Sequence, residues 1–179
     1  MICQCYHDQL ISIRRKLHQN PEEGWSEFTT TAFLVQTLRG YGYKVLLGRS
    51  IINPDACLGR SPQVVQAGLE RARKNDVSED LLKEMQELTG CVAVLDTGRP
   101  GPTFACRFDI DCVPVQESSD PNHLPNKEGF ASRNPGFMHA CGHDAHTAIL
   151  LGTAKLLQSM REALHGSVKL LFQPAEETI

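Results

Sequence analysis

Residues 138–177 read MHACGHDAHTAILLGTAKLLQSMREALHGSVKLLFQPAEE. Apolar residues recur at helical spacing over 144–160, which predicts a helix there, and the apolar run at 168–172 predicts a buried strand. A further strand is predicted at 103–108, upstream of the helix. A strand–helix–strand unit favours two parallel strands joined by a crossover. The sequence therefore predicts a mixed α/β fold organised around this unit.

The rest of the chain shows weaker but readable patterns. They predict further helices at 4–19, 26–39, 62–74 and 78–88, and further strands at 43–47 and 91–95. Ser26 and Ser78 are the predicted N-caps of two of these helices. The turn-rich DTGRPGP segment at 96–102 predicts a hairpin between the strands on either side of it. Residues 112–138 lack periodicity, which is typical of a long functional loop.

Composition excludes several classes of protein. Eighteen Lys and Arg against 21 Asp and Glu give a net charge of −3, which is not typical of a nucleic-acid binder. No apolar run approaches the roughly 18 residues that a membrane span requires, so we expect neither nucleic acid nor membrane as a partner. The seven cysteines lack a disulfide framework spacing, which indicates a cytoplasmic protein. We expect most of them to be small buried hydrophobic residues, namely Cys3, Cys5, Cys57, Cys91, Cys106 and Cys112.

Polar residues with coordinating side chains follow or precede each element of the predicted unit. In a strand–helix–strand unit, the carboxyl ends of both strands and the start of the helix share one edge of the sheet, where ligands bind. The residues expected there are Asp109 and Asp111 after the first strand, His139, Cys141, His143 and Asp144 before the helix, and Glu176 and Glu177 after the second strand.

This mixture of thiol, imidazole and carboxylate suits a zinc or manganese site. Cys141 and His143 are two residues apart, so in an extended segment both side chains can point the same way. The helix that follows would favour the thiolate form of Cys141. Of Glu176 and Glu177, one can bind a metal ion while the other acts as a general base. Each feature alone is more often structural, and their convergence on one edge carries the metal hypothesis.

Four segments together resemble the M20 family of metallopeptidases and amidohydrolases, in the branch that holds hippurate and indole-acetyl-amino-acid hydrolases. They are RRKLHQNPEEGWSEFTT at 14–30, RFDIDCVPVQE at 107–117, MHACGHDAHTAILLGTAKLL at 138–157 and GSVKLLFQPAEE at 166–177. The matches run from about residue 13 to residue 177. The segment from 48 to 89 looks closest to family members that hydrolyse p-aminobenzoyl-glutamate.

The resemblance implies a fold and a set of roles. The fold would be the N-terminal part of a zinc-peptidase-like catalytic domain, an incomplete three-layer α/β sheet with helices on both faces and a helical insert at about 50–89. Cys141, His143 and Glu177 would bind metal, and Glu176 would be the general base. The expected supporting residues are Asp109, Asp111, His139, Asp144 and His146.

The resemblance also implies an activity and its partners. A water activated by two divalent ions, Mn²⁺ or Zn²⁺, would attack the amide of a small N-acyl amino acid such as p-aminobenzoyl-glutamate. The full-length protein would form a homodimer or pair with a homologous B subunit. Family members are more than twice as long, so we expect residues 1–179 to lack the dimerisation and lid domain and to be inactive alone.

Two other functions remain open at the level of sequence. The chain could be a truncated, non-catalytic remnant or an interaction subunit that keeps the first half of the fold. It could also be a cysteine hydrolase that uses Cys141 with a nearby histidine. The second of these leaves Glu176 and Glu177 without a role. Sensitivity to a chelator would separate it from metal-dependent hydrolysis.

Overall fold

The computed structural model describes residues 6–178, and its elements follow the predicted pattern closely. The helices are α1 His7–His18, α2 Phe28–Gly40, α3 Pro62–Lys74, α4 Glu79–Met85, α5 Leu124–Lys127 and α6 His143–Ser159. The strands are β1 Lys44–Leu46, β2 Cys91–Asp96, β3 Thr103–Asp109 and β4 Ser167–Gln173. Short 3₁₀ turns lie at 48–50, 54–56 and 161–163. The predicted long loop, all of which the structure describes, contains no helix or strand besides the single turn of α5.

The strands form one mixed sheet in the order β1-β2-β4-β3. β3 and β4 are parallel, with Asp109 opposite Gln173, as the strand–helix–strand pattern predicts. The predicted hairpin between β2 and β3 is wrong, because β4 lies between them and pairs with both. The turn-rich 97–102 segment binds the start of β4 instead, where Thr97 N donates to Gly166 O at 3.2 Å and Ser167 N donates to Pro102 O at 3.0 Å.

Helix starts are set by side chains that satisfy free backbone amides. Ser78 caps α4, as predicted. The predicted cap of α2 is wrong, because the Ser26 hydroxyl donates to Glu23 O at 2.9 Å and no side chain at the N-cap position accepts a bond. The buried carboxylate of Glu22 takes this part, accepting from Thr30 N at 2.7 Å and from the preceding amide.

The core lies between the sheet and the pair of helices α2 and α6, which contact each other as well as the strands. Phe28 and Leu34 from α2, Leu150 from α6, and Leu170 and Phe172 from β4 are almost completely buried. A mixed α/β fold is therefore confirmed. Its packing holds the first turn of α6 and the ends of β3 and β4 together. Within the described residues no helix is long and apolar enough to cross a membrane.

The cysteines are distributed between the core and its margins. Cys91 and Cys112 are buried, as predicted, and Cys57 and Cys106 are half-buried. Cys3 and Cys5 lie outside the described residues. Burial raises the pKa of Cys91 and of Cys112 well above the usual range of a thiol, so both are neutral packing residues.

Candidate metal centre

The candidate site lies where β3, β4 and the first turn of α6 meet. Gly142, immediately before α6, has φ of 85°, a left-handed conformation that glycine adopts without strain. It turns the chain so that His143 begins the helix with its ring buried at the ends of the strands. Glu176 and Glu177 follow β4 at the same edge, the first half-buried and the second exposed. The predicted convergence of these segments is present in the structure.

Asp111 fixes the orientation of the His143 ring. Nδ1 of His143 lies 3.0 Å from the carbonyl oxygen of Asp111 and 3.2 Å from its Oδ1. A carbonyl oxygen only accepts, so Nδ1 carries the proton, and Nε2 is left as the free ring nitrogen. That nitrogen lies 3.8 Å from Glu177 Oε1. The side-chain hydrogen bond with Asp111 raises the pKa of His143, against the opposing effect of burial. Such a bond is the usual way of orienting a metal-binding histidine.

Among residues 6–178, two groups of side chains are compact enough to hold a metal ion. In one, His143, Glu176 and Glu177 place their donor atoms within 4.8 Å of one another. In the other, Asp109 and His146 do so with the same His143. Because the free nitrogen of His143 can bind one ion only, the two groups compete for it. Nitrogen and carboxylate oxygen together are donors that suit zinc or manganese, so the residues present fit a divalent metal.

The surroundings of Asp109 weaken the second group. Arg107 Nη2 lies 3.1 Å from Asp109 Oδ1 and donates a hydrogen bond to Oδ2 at 3.3 Å. The guanidinium already neutralises this carboxylate. Asp109 Oδ1 and His146 Nδ1 are nevertheless buried without a hydrogen bond, and the His146 ring stacks on that of His143 at 5.3 Å. These contacts place Asp109 and His146 beside the first group.

Cys141 is exposed and belongs to neither compact group. Its thiol lies beside Glu177, and the hydrogen bond to that carboxylate is the largest cause of a raised pKa. The negative charges of Glu177, Glu176 and Asp111 act in the same direction. These carboxylates therefore oppose the thiolate form that the start of α6 is expected to favour. A bound cation would reverse this balance.

His139 and Asp144 lie on the α1 side of the site. His139 is buried with neither ring nitrogen hydrogen-bonded, and burial lowers its pKa to about 4. Asp144 is buried in the first turn of α6, where its Oδ2 lies 2.9 Å from Arg14 Nε and 2.7 Å from His18 Nδ1. Burial acts to raise the pKa of Asp144, but the hydrogen bond from His18 and the positive charges outweigh it, so the pKa is lowered. Asp144 thus joins α6 to α1.

Sequence reasoning missed the burial of His18 and the part played by Glu117. His18 Nε2 lies 2.9 Å from Glu117 Oε1, so the imidazole lies between two carboxylates. The signal available in the sequence was the position of His18 directly after Leu17, near the apolar residues of α1. In the structure Ile13, Leu17 and His18 are all buried. Burial lowers the pKa of His18, but the hydrogen bonds with Asp144 and Glu117 outweigh it, and the pKa is raised above 6.5.

This raised pKa predicts how stability depends on pH. Protonated His18 is favoured by folding, so its contribution to the free energy of unfolding is complete below pH 6.5 and is lost as pH rises through the higher pKa of the folded state. Two further titratable or charged groups lie beside these side chains: Arg14 next to Asp144, and His139 next to His18. We expect His18→Gln to remove part of the decline in unfolding free energy above pH 6.5, measured by urea titration. Parallel pH profiles of the two proteins would contradict this assignment.

Comparison with known proteins agrees with this geometry. The sequence model of Peptidase family M20/M25/M40 matches residues 105–179, which contain most of the strand–helix–strand unit. A crystal structure of an aminobenzoyl-glutamate utilization protein from Klebsiella pneumoniae has a TM-score of 0.76 and 34% identity, covering 97% of this chain and 38% of that one. The fold is that of part of an M20-peptidase-type α/β catalytic domain.

Two curated proteins have sequences similar to that of this chain. The chain is 50% identical over 173 residues to an A subunit homolog of p-aminobenzoyl-glutamate hydrolase from Haemophilus influenzae, covering 96% of this chain and 41% of the relative. It is 45% identical to the A subunit of p-aminobenzoyl-glutamate hydrolase from Escherichia coli, covering 92% of this chain and 38% of the relative. Residues 105–179 match the model of peptidase family M20/M25/M40, and the chain spans about 40% of the length of these relatives.

A further solved structure bears on the chemistry. The crystal structure of a dinuclear metal binding peptidase from the M20 family of Bacillus subtilis has a TM-score of 0.67 and 34% identity, covering 97% of this chain and 36% of that one. The expected resemblance to the M20 family, and to the relatives named for p-aminobenzoyl-glutamate, is confirmed by these matches.

Proposed function

We propose that this chain contributes one side of the active site of a metal-dependent amidohydrolase that cleaves the amide bond of a small N-acyl amino acid. The single observation that carries the proposal is the group formed by His143, Glu176 and Glu177. Its donor atoms lie within 4.8 Å of one another, and Asp111 orients the ring so that the free nitrogen faces Glu177.

The proposed roles are those that the family resemblance implies, and the positions of the side chains are compatible with them. His143 and Glu177 bind a divalent ion, and Cys141 completes the set from the exposed side, next to Glu177. Glu176 is the general base that takes a proton from the attacking water. Asp109, Asp111, His139, Asp144 and His146 orient these groups.

When bound, the ion, Mn²⁺ or Zn²⁺, would act as a Lewis acid that polarises the scissile carbonyl and lowers the pKa of the attacking water. Three donors from this chain leave room for ligands from elsewhere. We infer two ions per site in the complete enzyme, as in the dinuclear relative. Residues 1–179 are the N-terminal portion of the catalytic domain in this proposal, with the helical insert at about 50–89 and without the dimerisation and lid domain.

The substrate and the partner are drawn from the relatives. We propose p-aminobenzoyl-glutamate as substrate, because two relatives of 50% and 45% identity carry its name. The indole-3-acetyl-aspartic acid hydrolase of Enterobacter agglomerans, at 47% identity, shares the chemistry of an aromatic acyl group on an acidic amino acid. Since both aminobenzoyl-glutamate relatives are named as A subunits, a homologous B subunit is the proposed partner. A cytoplasmic location agrees with the thiol-rich composition.

A chimera tests the function directly. Residues 1–179 would replace the matching segment of the Escherichia coli hydrolase's A subunit, and the chimera would be produced with the B subunit. We expect hydrolysis of p-aminobenzoyl-glutamate that EDTA abolishes and Mn²⁺ or Zn²⁺ restores, while the isolated 179-residue chain is inactive. The parent enzyme is the control for assembly.

Two outcomes would contradict the proposal. A folded chimera that binds metal but has no activity would indicate that this chain is a non-catalytic relative. Activity that survives EDTA and is lost on alkylation of Cys141 would indicate a cysteine hydrolase. The groups that raise the pKa of the Cys141 thiol are the carboxylates of Glu177, Glu176 and Asp111, whereas a cysteine nucleophile requires a histidine base.

A further inference from the structure

The turn that carries Glu176 and Glu177 is held by its backbone on both sides. Ala175 N donates to Glu27 Oε1 at 2.8 Å, and Glu177 N donates to Asp111 Oδ2 at 2.8 Å. The amides that flank Glu176 are thus each bound by a buried carboxyl group from a different part of the fold. Ala175 has φ of 54°, a left-handed conformation that costs energy for alanine and persists only where surrounding contacts impose it.

Glu27 is built into the core and has no contact with solvent. It is completely buried at the residue before α2, and its second oxygen, Oε2, accepts a hydrogen bond from Thr89 Oγ1 at 2.7 Å. Burial raises the pKa of Glu27 to about 8, even though the bonds from Thr89 and Ala175 act to lower it. Both oxygens of the side chain thus accept a hydrogen bond. Its place is set on one side by Thr89, just before β2, and on the other by Ala175.

Close packing leaves the turn little alternative to this anchor. A Cβ atom at Gly24 would lie 2.9 Å from Ala175 Cα, and one at Gly90 would lie 2.6 Å from Phe172 O and from Pro174 Cδ. Both glycines thus lie directly against the end of β4 and the turn. The apolar contacts bring the turn close, and the directional bond from Ala175 to Glu27 selects its backbone orientation.

We propose that Glu27 is a positioning residue that, through Ala175, sets the orientation of Glu176 and Glu177 toward His143. This rests on the metal site in the proposed function. Glu27 does not touch the donor atoms, and its effect is transmitted by the backbone of the turn. Partners that orient ligands in this way typically contribute 10- to 100-fold to metal affinity.

The test measures two properties of the 179-residue chain. The first is the affinity for Mn²⁺ by calorimetry, and the second is the hydrogen-exchange rate of the Ala175 amide by NMR without added metal. Glu27→Ala is expected to weaken Mn²⁺ binding about 10-fold or more and to speed exchange at Ala175. Glu27→Gln keeps a carbonyl oxygen that accepts from Ala175 N, and its NH₂ group can donate to the Thr89 hydroxyl, which then accepts instead of donating. Both values are therefore expected to stay near those of the wild type.

Glu22→Ala is the matched control. Like Glu27, Glu22 is almost completely buried and its carboxyl group accepts two hydrogen bonds, in this case from the backbone amides of Thr29 and Thr30. It is expected to lower thermal stability while leaving Mn²⁺ affinity and Ala175 exchange unchanged. If Glu27→Ala does not fold, Thr89→Val gives a milder test. This substitution removes the hydrogen bond to Glu27 Oε2. It is expected to weaken Mn²⁺ binding and to speed exchange at Ala175, each by less than Glu27→Ala does.

The outcomes separate this proposal from the proposed function. Unchanged Mn²⁺ affinity in a folded Glu27→Ala chain overturns the positioning role, whether or not Ala175 exchange rises. Equal losses in Glu22→Ala and Glu27→Ala also overturn it, since both would then reflect general destabilisation. A wild-type chain that binds no Mn²⁺ refutes the metal site in this chain. In that case unchanged Ala175 exchange overturns the backbone anchor, and faster exchange supports it.

Discussion

Glu176→Gln in the chimera with the Escherichia coli hydrolase is expected to lower kcat by about 100- to 10,000-fold, the usual range for loss of a general base. The carboxamide has the same shape as the carboxyl group but cannot take a proton from water. Glu176 is half-buried beside His143 and Glu177. Because the two side chains have the same shape, the substitution leaves the volume of the site unchanged. Metal content, measured by elemental analysis, is expected to equal that of the unsubstituted chimera.

Glu177→Gln is the matched variant one residue further along. Glu177 Oε1 lies 3.8 Å from His143 Nε2, so loss of its charge is expected to lower metal content, with activity restored in part by excess Mn²⁺. This pattern distinguishes a base from a ligand. Loss of metal from Glu176→Gln, with metal retained by Glu177→Gln, would reverse the two roles and contradict the proposed assignment.

The largest effect on stability is expected from Asp144→Ala. Asp144 is buried and holds Arg14 at 2.9 Å and His18 at 2.7 Å, and it also accepts from Ala145 N at 2.8 Å. Removing one partner from a buried ion pair costs about 3–5 kcal/mol. Because His18 keeps Glu117 as a partner and the Arg14 side chain is 34% exposed, we expect a loss at the lower end of that range. For a chain of this size, the thermal midpoint falls by roughly 2–4 °C per kcal/mol. Circular dichroism during heating and urea titration measures both quantities.

Asp80→Ala is the control for that prediction. Asp80 occupies the first turn of α4, as Asp144 occupies that of α6, but it is exposed and its ion pair with Lys83 is long, at 3.7 Å. Exposed pairs of this kind contribute little, so the midpoint is expected to stay unchanged. Equal losses from Asp144→Ala and Asp80→Ala would show that a general effect of charge at helix starts, and not the buried cluster, is responsible.

Much of the fold and the site follows from local sequence patterns. Apolar spacing identifies α6, the turn-forming Gly166 separates it from β4, and a crossover of this length favours parallel pairing of β3 with β4. Parallel pairing in turn brings Asp109 and Glu176 to one edge. The residues of the candidate site are therefore readable from sequence, because nearly all of them lie within a few residues of the end of a regular element.

Pairings between distant segments are not readable in this way. The DTGRPGP turn has the composition of a hairpin, yet β4, more than sixty residues later in the chain, lies between β2 and β3. Ser26 has the composition of a cap, yet Glu22 satisfies the amides of α2. In the first case a strand from far along the chain replaces the local partner, and in the second a carboxyl group four residues earlier does. The local preference is too weak to exclude either contact.

The sequence by itself thus determined the class of fold, the resemblance to the M20 family and the edge of the sheet that carries the candidate site. Only the tertiary structure decided the state of the groups there. It placed His18 between two carboxylates, gave Cys141 a raised pKa beside Glu177, and set Glu27 against the backbone of Ala175. The charge, burial and hydrogen bonding of a side chain depend on which distant segments come into contact, and local composition does not specify these contacts.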